Sequence, residues 1–421
     1  MVEKITLDNG VRIVHERLEH LRSCALGIWV ESGSRHEPEE LCGISHFIEH
    51  MMFKGTESRT AAQLAADFDA VGGQVNAFTT KEQTCYYCRT LGEYLPQAAE
   101  LLCDMYFHST FAEDAVELER GVILEEIGMY EDTPDDLVNE ELFSAIYAGQ
   151  KLGRPILGTR ESLAGMKGAD LRRYVAENYT PENTVVALCG SYTDEDLHKL
   201  AAVFEKMTPK APPRIEPGVY QPCFTLREKD IEQNHLEIGF RGLPQGDERR
   251  YSMQVLNAVL GSGMSSRLFQ RVREQNGLCY TVYSFCTAYM DTGVCGIYVA
   301  LSRETELRAL ELILQVIREI LETGITQEEL ERTVTQLKSN VLMGLESTSS
   351  RMSTLARNEF AYGRAVSEDE IARGFDAVTR ESVLEVARQV FDFSQMSFSA
   401  VGKVRDAAEY KKALGMAESQ N

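Results

Sequence analysis

Apolar and polar positions along the chain spell out one order of strands and helices, and then spell it a second time. ITLDNG ends on an Asn-Gly turn signal and VRIVHERL continues with strand-like alternation, which predicts an opening hairpin. SCALGIWVESGS reads as a strand running into a short helix over SHFIEHMMF. AAQLAADFDAV predicts a helix, a Gly-Gly break follows, and QVNAFTT and CYYCRTL read as strands. Two long helices are predicted over EYLPQAAELLCDMYF and EDAVELERGVILEEIGMYED, the second with apolar residues at helical spacing. Strand NTVVALCGSY and helix EDLHKLAAVFEKM close the first half.

TPKAPPRIEPGVYQP follows, with Pro209, Pro212, Pro213 and Pro217 inside nine residues, and reads as a linker. Beyond it come strands FTLREKD and NHLEIGFRGL, helix RYSMQVLNAVLG, strands TVYSFCTAYM and VCGIYVAL, and two more long helices, ETELRALELILQVIREIL and QEELERTVTQLKSNVLMGLES. The ends of the halves align by eye: NEELFSAIYAGQ with RNEFAYGRAV, ADLRRYVAENY with ESVLEVARQVF, NTVVALCGSY with SQMSFSAVGKV. The expectation is a duplicated α+β fold, each copy a mostly antiparallel sheet with helices packed on one side. The domains are expected at 1–208 and 223–421, joined by a linker over 209–222. A chain of 421 residues suits two such cores.

Composition narrows the function. Sixty-five acidic against 43 basic residues give a formal charge of -22, which repels phosphate backbones and anionic lipid headgroups, so neither nucleic acid nor membrane is an expected partner. The opening MVEKITLDNGVRIVHERL has no apolar stretch of signal-peptide type, and no run of 18 apolar residues occurs, so a cytoplasmic location is expected. The ten cysteines are scattered through apolar runs, as reduced thiols would be. The one CxxC, Cys85 and Cys88, lies in a strand pattern that sends the two thiols to opposite faces and reads as structural.

The candidate chemistry lies in GISHFIEHMMFKGT. On a helix His46, Glu49 and His50 share a face, so both imidazoles reach one metal while the carboxylate stands beside an open position. This is the inverted form of the HExxH motif, and it suits Glu49 as general base on a zinc-bound water. Gly43 breaks the chain just before the helix, and Phe47, Ile48 and Met51 form its apolar back. A catalytic zinc needs a third protein ligand. Glu119 and Glu126 lie two turns apart on one face of the second long helix and Glu125 is rotated from them, but periodicity leaves all three open.

GISHFIEHMMFKGT, VGGQVNAFTTKEQT, ERGVILEEIGMYEDTPDD and REQNGLCYTVYS together resemble the pitrilysin/insulinase family of zinc peptidases, across nearly the whole chain. The likeness is to its shorter branch, that of the mitochondrial processing peptidase and its bacterial homologues. The resemblance implies a Zn2+ cofactor with Glu126 as third ligand, and Glu119 as a supporting acid that orients the ligands. It implies an endopeptidase acting on extended or unfolded peptides in a closed chamber. The substrate strand would pair with Asn76, Ala77 and Phe78 of VNAFT, while Arg273 and Tyr280 hold the substrate carbonyl and its oxyanion. Relatives of this fold also serve as non-catalytic subunits or core proteins, but such relatives typically lose the zinc set that this chain keeps. Aligning the halves places Met343 opposite Glu126, and GSGMSSRL stands where the histidine motif would, so no metal site is expected in the second half. GSGMSS itself reads as a turn between helices. Carrying both the zinc set and the Arg273/Tyr280 pair points to a homodimer, and the resemblance implies that each zinc is faced by the second half of the partner.

Overall fold

The computed structural model describes residues 2–211 and 215–416. The chain runs β1 (Val2–Thr6), β2 (Arg12–Arg17), β3 (Ser23–Val30), α1 (Ile44–Met52), α2 (Ala61–Ala70), β4 (Gln74–Thr79), β5 (Thr84–Leu91), α3 (Leu95–His108), α4 (Glu113–Asp132), α5 (Pro134–Ile146), α6 (Arg160–Ala164), α7 (Gly168–Asn178), β6 (Thr184–Gly190) and α8 (Asp194–Phe204). It continues with β7 (Phe224–Glu228), β8 (Asn234–Arg241), α9 (Arg250–Gly261), a π-helical segment (Phe269–Glu274), β9 (Cys279–Ala288), β10 (Gly293–Leu301), α10 (Glu306–Thr323), α11 (Gln327–Gly344), α12 (Thr348–Tyr362), α13 (Glu368–Asp376), α14 (Arg380–Val390), β11 (Ser397–Gly402) and α15 (Ala407–Leu414). The fold is α+β, and the order of elements repeats as the hydrophobic pattern requires. Among the described residues no helix is long and apolar enough to cross a membrane.

The first sheet has the order β1-β2-β6-β3-β5-β4. Every pairing in it is antiparallel except β2 with β6. The β1–β2 hairpin turns through Leu7–Val11, with Gly10 at φ 101°. β3 is buried along nearly its whole length, which explains why SCALGIWV reads as an apolar run rather than an alternation. One face, carrying Ile13, Leu26, Ile28 and Cys88, packs on α1, α3, α7 and α8; the other carries Ala25, Trp29, Cys85 and Val185. Cys85 and Cys88 thus lie on opposite faces of β5, both fully buried, and burial raises both thiols, Cys88 to about 12.

The second sheet, β7-β11-β8-β10-β9, has the same order without a counterpart to β1, and its one parallel pair is β11 with β7. Its larger core joins Leu236, Ile238, Cys295 and Ile297 to α9, α10 and α14.

Two expectations need correction. The compact units are not the contiguous halves 1–208 and 223–421. One unit comprises Met1–Gly128, Arg154–Glu216 and Leu342–Val366, and the other Met129–Gly153, Pro217–Val341 and Ser367–Asn421. The reason is that α12 buries Met352, Leu355, Ala356 and Phe360 on the free face of the first sheet. Likewise α5 buries Leu137, Val138, Leu142, Phe143 and Ile146 in the second unit, against Tyr298, Val294 and Val401. Both sheets are therefore covered on both faces, a many-helix layer on one and a single helix on the other, rather than on one side alone. Along the expected linker, residues 209–211 and 215–222 carry no helix or strand, and 212–214 lie outside the described residues.

Candidate metal centre

The histidine helix α1 is fixed at its N-terminus. Its N-cap is Gly43, at φ 92°, and a Cβ there would meet Leu157 O and Gly158 Cα at 2.7 Å, so only glycine fits. The amides of Gly43 and Ser45 donate to the buried Glu37 carboxylate at 2.7 and 2.8 Å, satisfying N–H groups that the helix cannot bond itself. Burial lifts Glu37 to about 7, while these two amide bonds pull it back down. Phe47, Ile48 and Met51 are 0–1% exposed and form the apolar back expected from the sequence. Burying each such side chain stabilises by about 1.5–3 kcal/mol, which holds the opposite, polar face in place.

That face brings three donors together. His46 Nε2 and His50 Nε2 lie 3.7 and 3.6 Å from Glu126 Oε2 of α4, and the three donor atoms all fall within 4.8 Å of one another. Four-coordinate zinc with bonds near 2.1 Å separates its ligand atoms by about 3.4 Å, so the spacing fits one ion. His46 is pushed down to about 3, by burial first and His50 second, which keeps its imidazole neutral as a ligand must be. Its buried Nδ1 has no hydrogen-bond partner among the described residues.

Around the donors stands a second layer. Glu119 Oε2 is 3.1 Å from His50 Nδ1, and Glu119 Oε1 is 2.6 Å from Lys54 Nζ. A proton on Nδ1, held by Glu119, leaves Nε2 free to ligate. Glu125, the third acid left open by periodicity, is exposed. Glu49 shares the helical face with the two histidines, and Thr79 Oγ1 donates to its Oε2 at 2.6 Å. Burial raises Glu49 from its ordinary value, against the lowering hydrogen bond from Thr79, a change that makes it a stronger base.

β4 is an edge strand, bonded among the described residues to β5 alone. Asn76 is exposed and Ala77 is 9% exposed. The Ala77 amide donates to Asn76 Oδ1 at 2.8 Å, so the side chain occupies a main-chain donor that a pairing strand would need. Phe78 packs edge-to-face on Trp29 at 5.3 Å and is half-buried. In the second unit the Arg273 guanidinium lies 4.6 Å from the centre of the Tyr280 ring. The pairing of β9 with β10 steps from Thr281 to Cys279, which makes Tyr280 the extra residue of a β-bulge, and the ring is 74% exposed. GSGMSS forms a turn after α9, as expected. Sequence reasoning missed Thr79, Lys54 and Glu37. Thr79 closes the VNAFT motif and Lys54 lies four residues after His50, so both stood within motifs already singled out, whereas nothing local marks Glu37.

A family model described as Insulinase (Peptidase family M16) matches residues 12–160, and one described as Peptidase M16 inactive domain matches residues 166–337. The chain belongs to the insulinase family of peptidases, peptidase family M16. A Bacillus subtilis protein named as an uncharacterized zinc protease, YmxG, is 45% identical over 93% of this chain and 96% of its own length. An uncharacterized zinc protease of Streptomyces coelicolor is 38% identical over 96% of this chain and 90% of its own length. The same fold occurs in a peptidase M16 inactive domain from Pseudomonas fluorescens (TM-score 0.90, 22% identity, 96% of this chain and 98% of that one). It also occurs in a protease from Helicobacter pylori (TM-score 0.88, 21% identity, 96% and 99%).

Proposed function

We propose that this chain is a zinc endopeptidase acting on extended or unfolded polypeptides within a closed chamber. The observation that carries the reading is the clustering of His46, His50 and Glu126 donor atoms within 4.8 Å of one another, with the Glu49 carboxylate on the same helical face. In this reading these three side chains hold zinc, which when bound supplies Lewis acidity for attack on a peptide carbonyl. Glu49 takes the proton of the attacking water and passes it to the leaving amine, while Thr79 orients it for both transfers. Glu119 holds the His50 tautomer. Asn76 swings off the Ala77 amide so that a substrate strand can add along β4, a mode that reads backbone more than side chains. Arg273 and Tyr280 donate to the substrate carbonyl and the charge that develops on it.

The test is elemental analysis combined with turnover of an unfolded polypeptide. Glu49→Gln should keep one zinc per chain and lose about 10²–10⁴-fold in rate, because it removes the base without removing a ligand. A wild-type chain with no zinc, or a Glu49→Gln chain as active as wild type, would sink this reading and favour the non-catalytic alternative. The homodimer follows from the family resemblance. Co-expressing Glu49→Gln with Arg273→Ala chains tests it: activity returns if each site combines residues of two chains, and stays absent if each chain is self-contained.

A further inference from the structure

All ten cysteines are free thiols, and two of them face each other across an exposed edge. Cys286 on β9 and Cys295 on β10 are direct partners in the antiparallel register, which places both side chains on one face of the sheet. Their sulfurs are 3.6 Å apart. Opposed residues of an antiparallel pair have Cα atoms about 4.5 or 5.5 Å apart, according to the kind of pair, and both values lie within the roughly 4.4–6.8 Å that a disulfide spans. Closing the bond therefore asks for side-chain rotation rather than movement of a strand. β9 is the edge strand of its sheet and Cys286 is exposed, so a soluble reagent reaches it; Cys295 is buried at 1% exposure. Cys24, Cys85, Cys88, Cys103 and Cys189 are buried too and offer no such entry.

We propose that Cys286 and Cys295 are a redox modification site that closes reversibly to a cross-strand disulfide by exchange with a low-molecular-weight disulfide of the glutathione type. The Cys286 thiolate attacks one sulfur of oxidised glutathione, forming a mixed disulfide and releasing one reduced glutathione. Cys295 then gives up its proton to solvent and attacks the Cys286 sulfur, expelling the second glutathione. Two protein thiols are oxidised and one small disulfide is reduced to two thiols, so electrons and protons balance. The bond ties β9 to β10 six residues beyond Tyr280, near the end of the edge strand away from the bulge.

The experiment equilibrates the full chain in glutathione buffers of increasing oxidation, alkylates the remaining thiols and maps peptides by mass. The expected result is loss of two titratable thiols and a cross-linked product joining Cys286 to Cys295, reversed by dithiothreitol. Amide exchange over Ser284–Ala288, around the cross-linked pair, should slow several-fold in the oxidised form. Cys286→Ser should abolish the cross-link, and Cys295→Ser should trap glutathione on Cys286. Continued alkylation of both cysteines across the whole series would overturn the proposal. So would a glutathione adduct on wild-type Cys286 that persists without closing onto Cys295.

Discussion

The two sheets share one strand order apart from β1 and one sequence of covering helices, yet among the described residues only the first brings candidate metal donors together. The contrast begins at matching positions. Gly190 and Gly402 both have positive φ, 120° and 137°, at the ends of β6 and β11. Three residues earlier Ala187 faces Gly27, and Ser399 faces Glu237; five residues earlier Val185 faces Trp29, and Ser397 faces Gly239. The two sheets therefore exchange small for large beneath their single covering helices. In the first, α12 approaches at Gly27, where a Cβ would lie 2.5 Å from Met352 Sδ, and Trp29 fills the next position on that face. In the second, α5 approaches at Gly239, whose Cβ would lie 3.3 Å from Leu142, and Glu237 takes the larger place. The helix that follows differs in the same way. α1 puts two imidazoles and a carboxylate on its polar face, whereas α9, RYSMQVLNAVLG, has neither histidine nor acid. A shared scaffold fixes where helices lie; the chemistry comes from which side chains stand on them.

The strongest way to break this contrast is to remove the third donor. Glu126→Gln should lower zinc affinity by more than the roughly 10–100-fold that loss of an outer-layer partner causes, and abolish turnover with it. Glu125→Gln should leave both unchanged, since its carboxyl is exposed and outside the donor cluster. Zinc titration of the two variants against a competing chelator checks this, and equal losses would reject the assignment of Glu126.

The sequence made the duplication legible because each copy buries the same faces, and hydrophobic period records burial. It made His46, Glu49 and His50 legible because they share one helix, where spacing equals geometry. It could not choose among Glu119, Glu125 and Glu126, whose relation to α1 is tertiary; the resemblance made that choice. Nor could it show that α5 and α12 each leave their own half, since an amphipathic stripe states that a face is buried, not which sheet buries it. Glu37 was hidden for the same reason: a carboxylate in a loop carries no period, and its role appears only once the N-terminus of α1 lies against it.

The next contrast to probe is Glu237. It is 2% exposed, accepts from Asn139 Nδ2 at 3.2 and 3.3 Å, and is lifted by burial from 4.5 to about 8. A carboxyl whose folded pKa exceeds its unfolded value favours folding below the unfolded pKa and loses that contribution as pH rises through the folded one. Between pH 4.5 and 8 the second unit should therefore lose stability on the order of a few kcal/mol from this group. Glu237→Gln should flatten that part of the melting curve against pH. An unchanged slope would mean that the carboxyl is already ionised in the fold.

Gly27 tests the same position in the first sheet. Gly27→Val forces a Cβ to within 2.5 Å of Met352 Sδ and 2.8 Å of Trp29 Nε1, and overpacking of this kind costs about 1–3 kcal/mol. Met352→Ala opens the space, so the double variant should recover part of the loss in denaturant unfolding. Strict additivity would show that α12 does not set the size limit at Gly27.

The smallest expected effect is at Glu119, and it separates charge from hydrogen bonding in the layer behind the metal donors. Glu119→Gln keeps an oxygen able to accept from His50 Nδ1 but removes the negative charge shared between His50 and Lys54, which lie 3.1 and 2.6 Å from its two oxygens. If the role of Glu119 is to hold the tautomer, the amide suffices and zinc affinity should fall no more than about 10-fold, near 1.4 kcal/mol and the low end for such partners. If its charge is needed to strengthen the imidazole as a donor, the fall should approach ~100-fold. Glu119→Ala removes both functions and should reach that larger value in either case. Lys54→Met adds the last constraint: it removes the cation that competes with His50 for the same carboxylate. Zinc binding should then be held or slightly tightened if Lys54 only neutralises Glu119, and weakened if Lys54 positions the carboxylate against the ring.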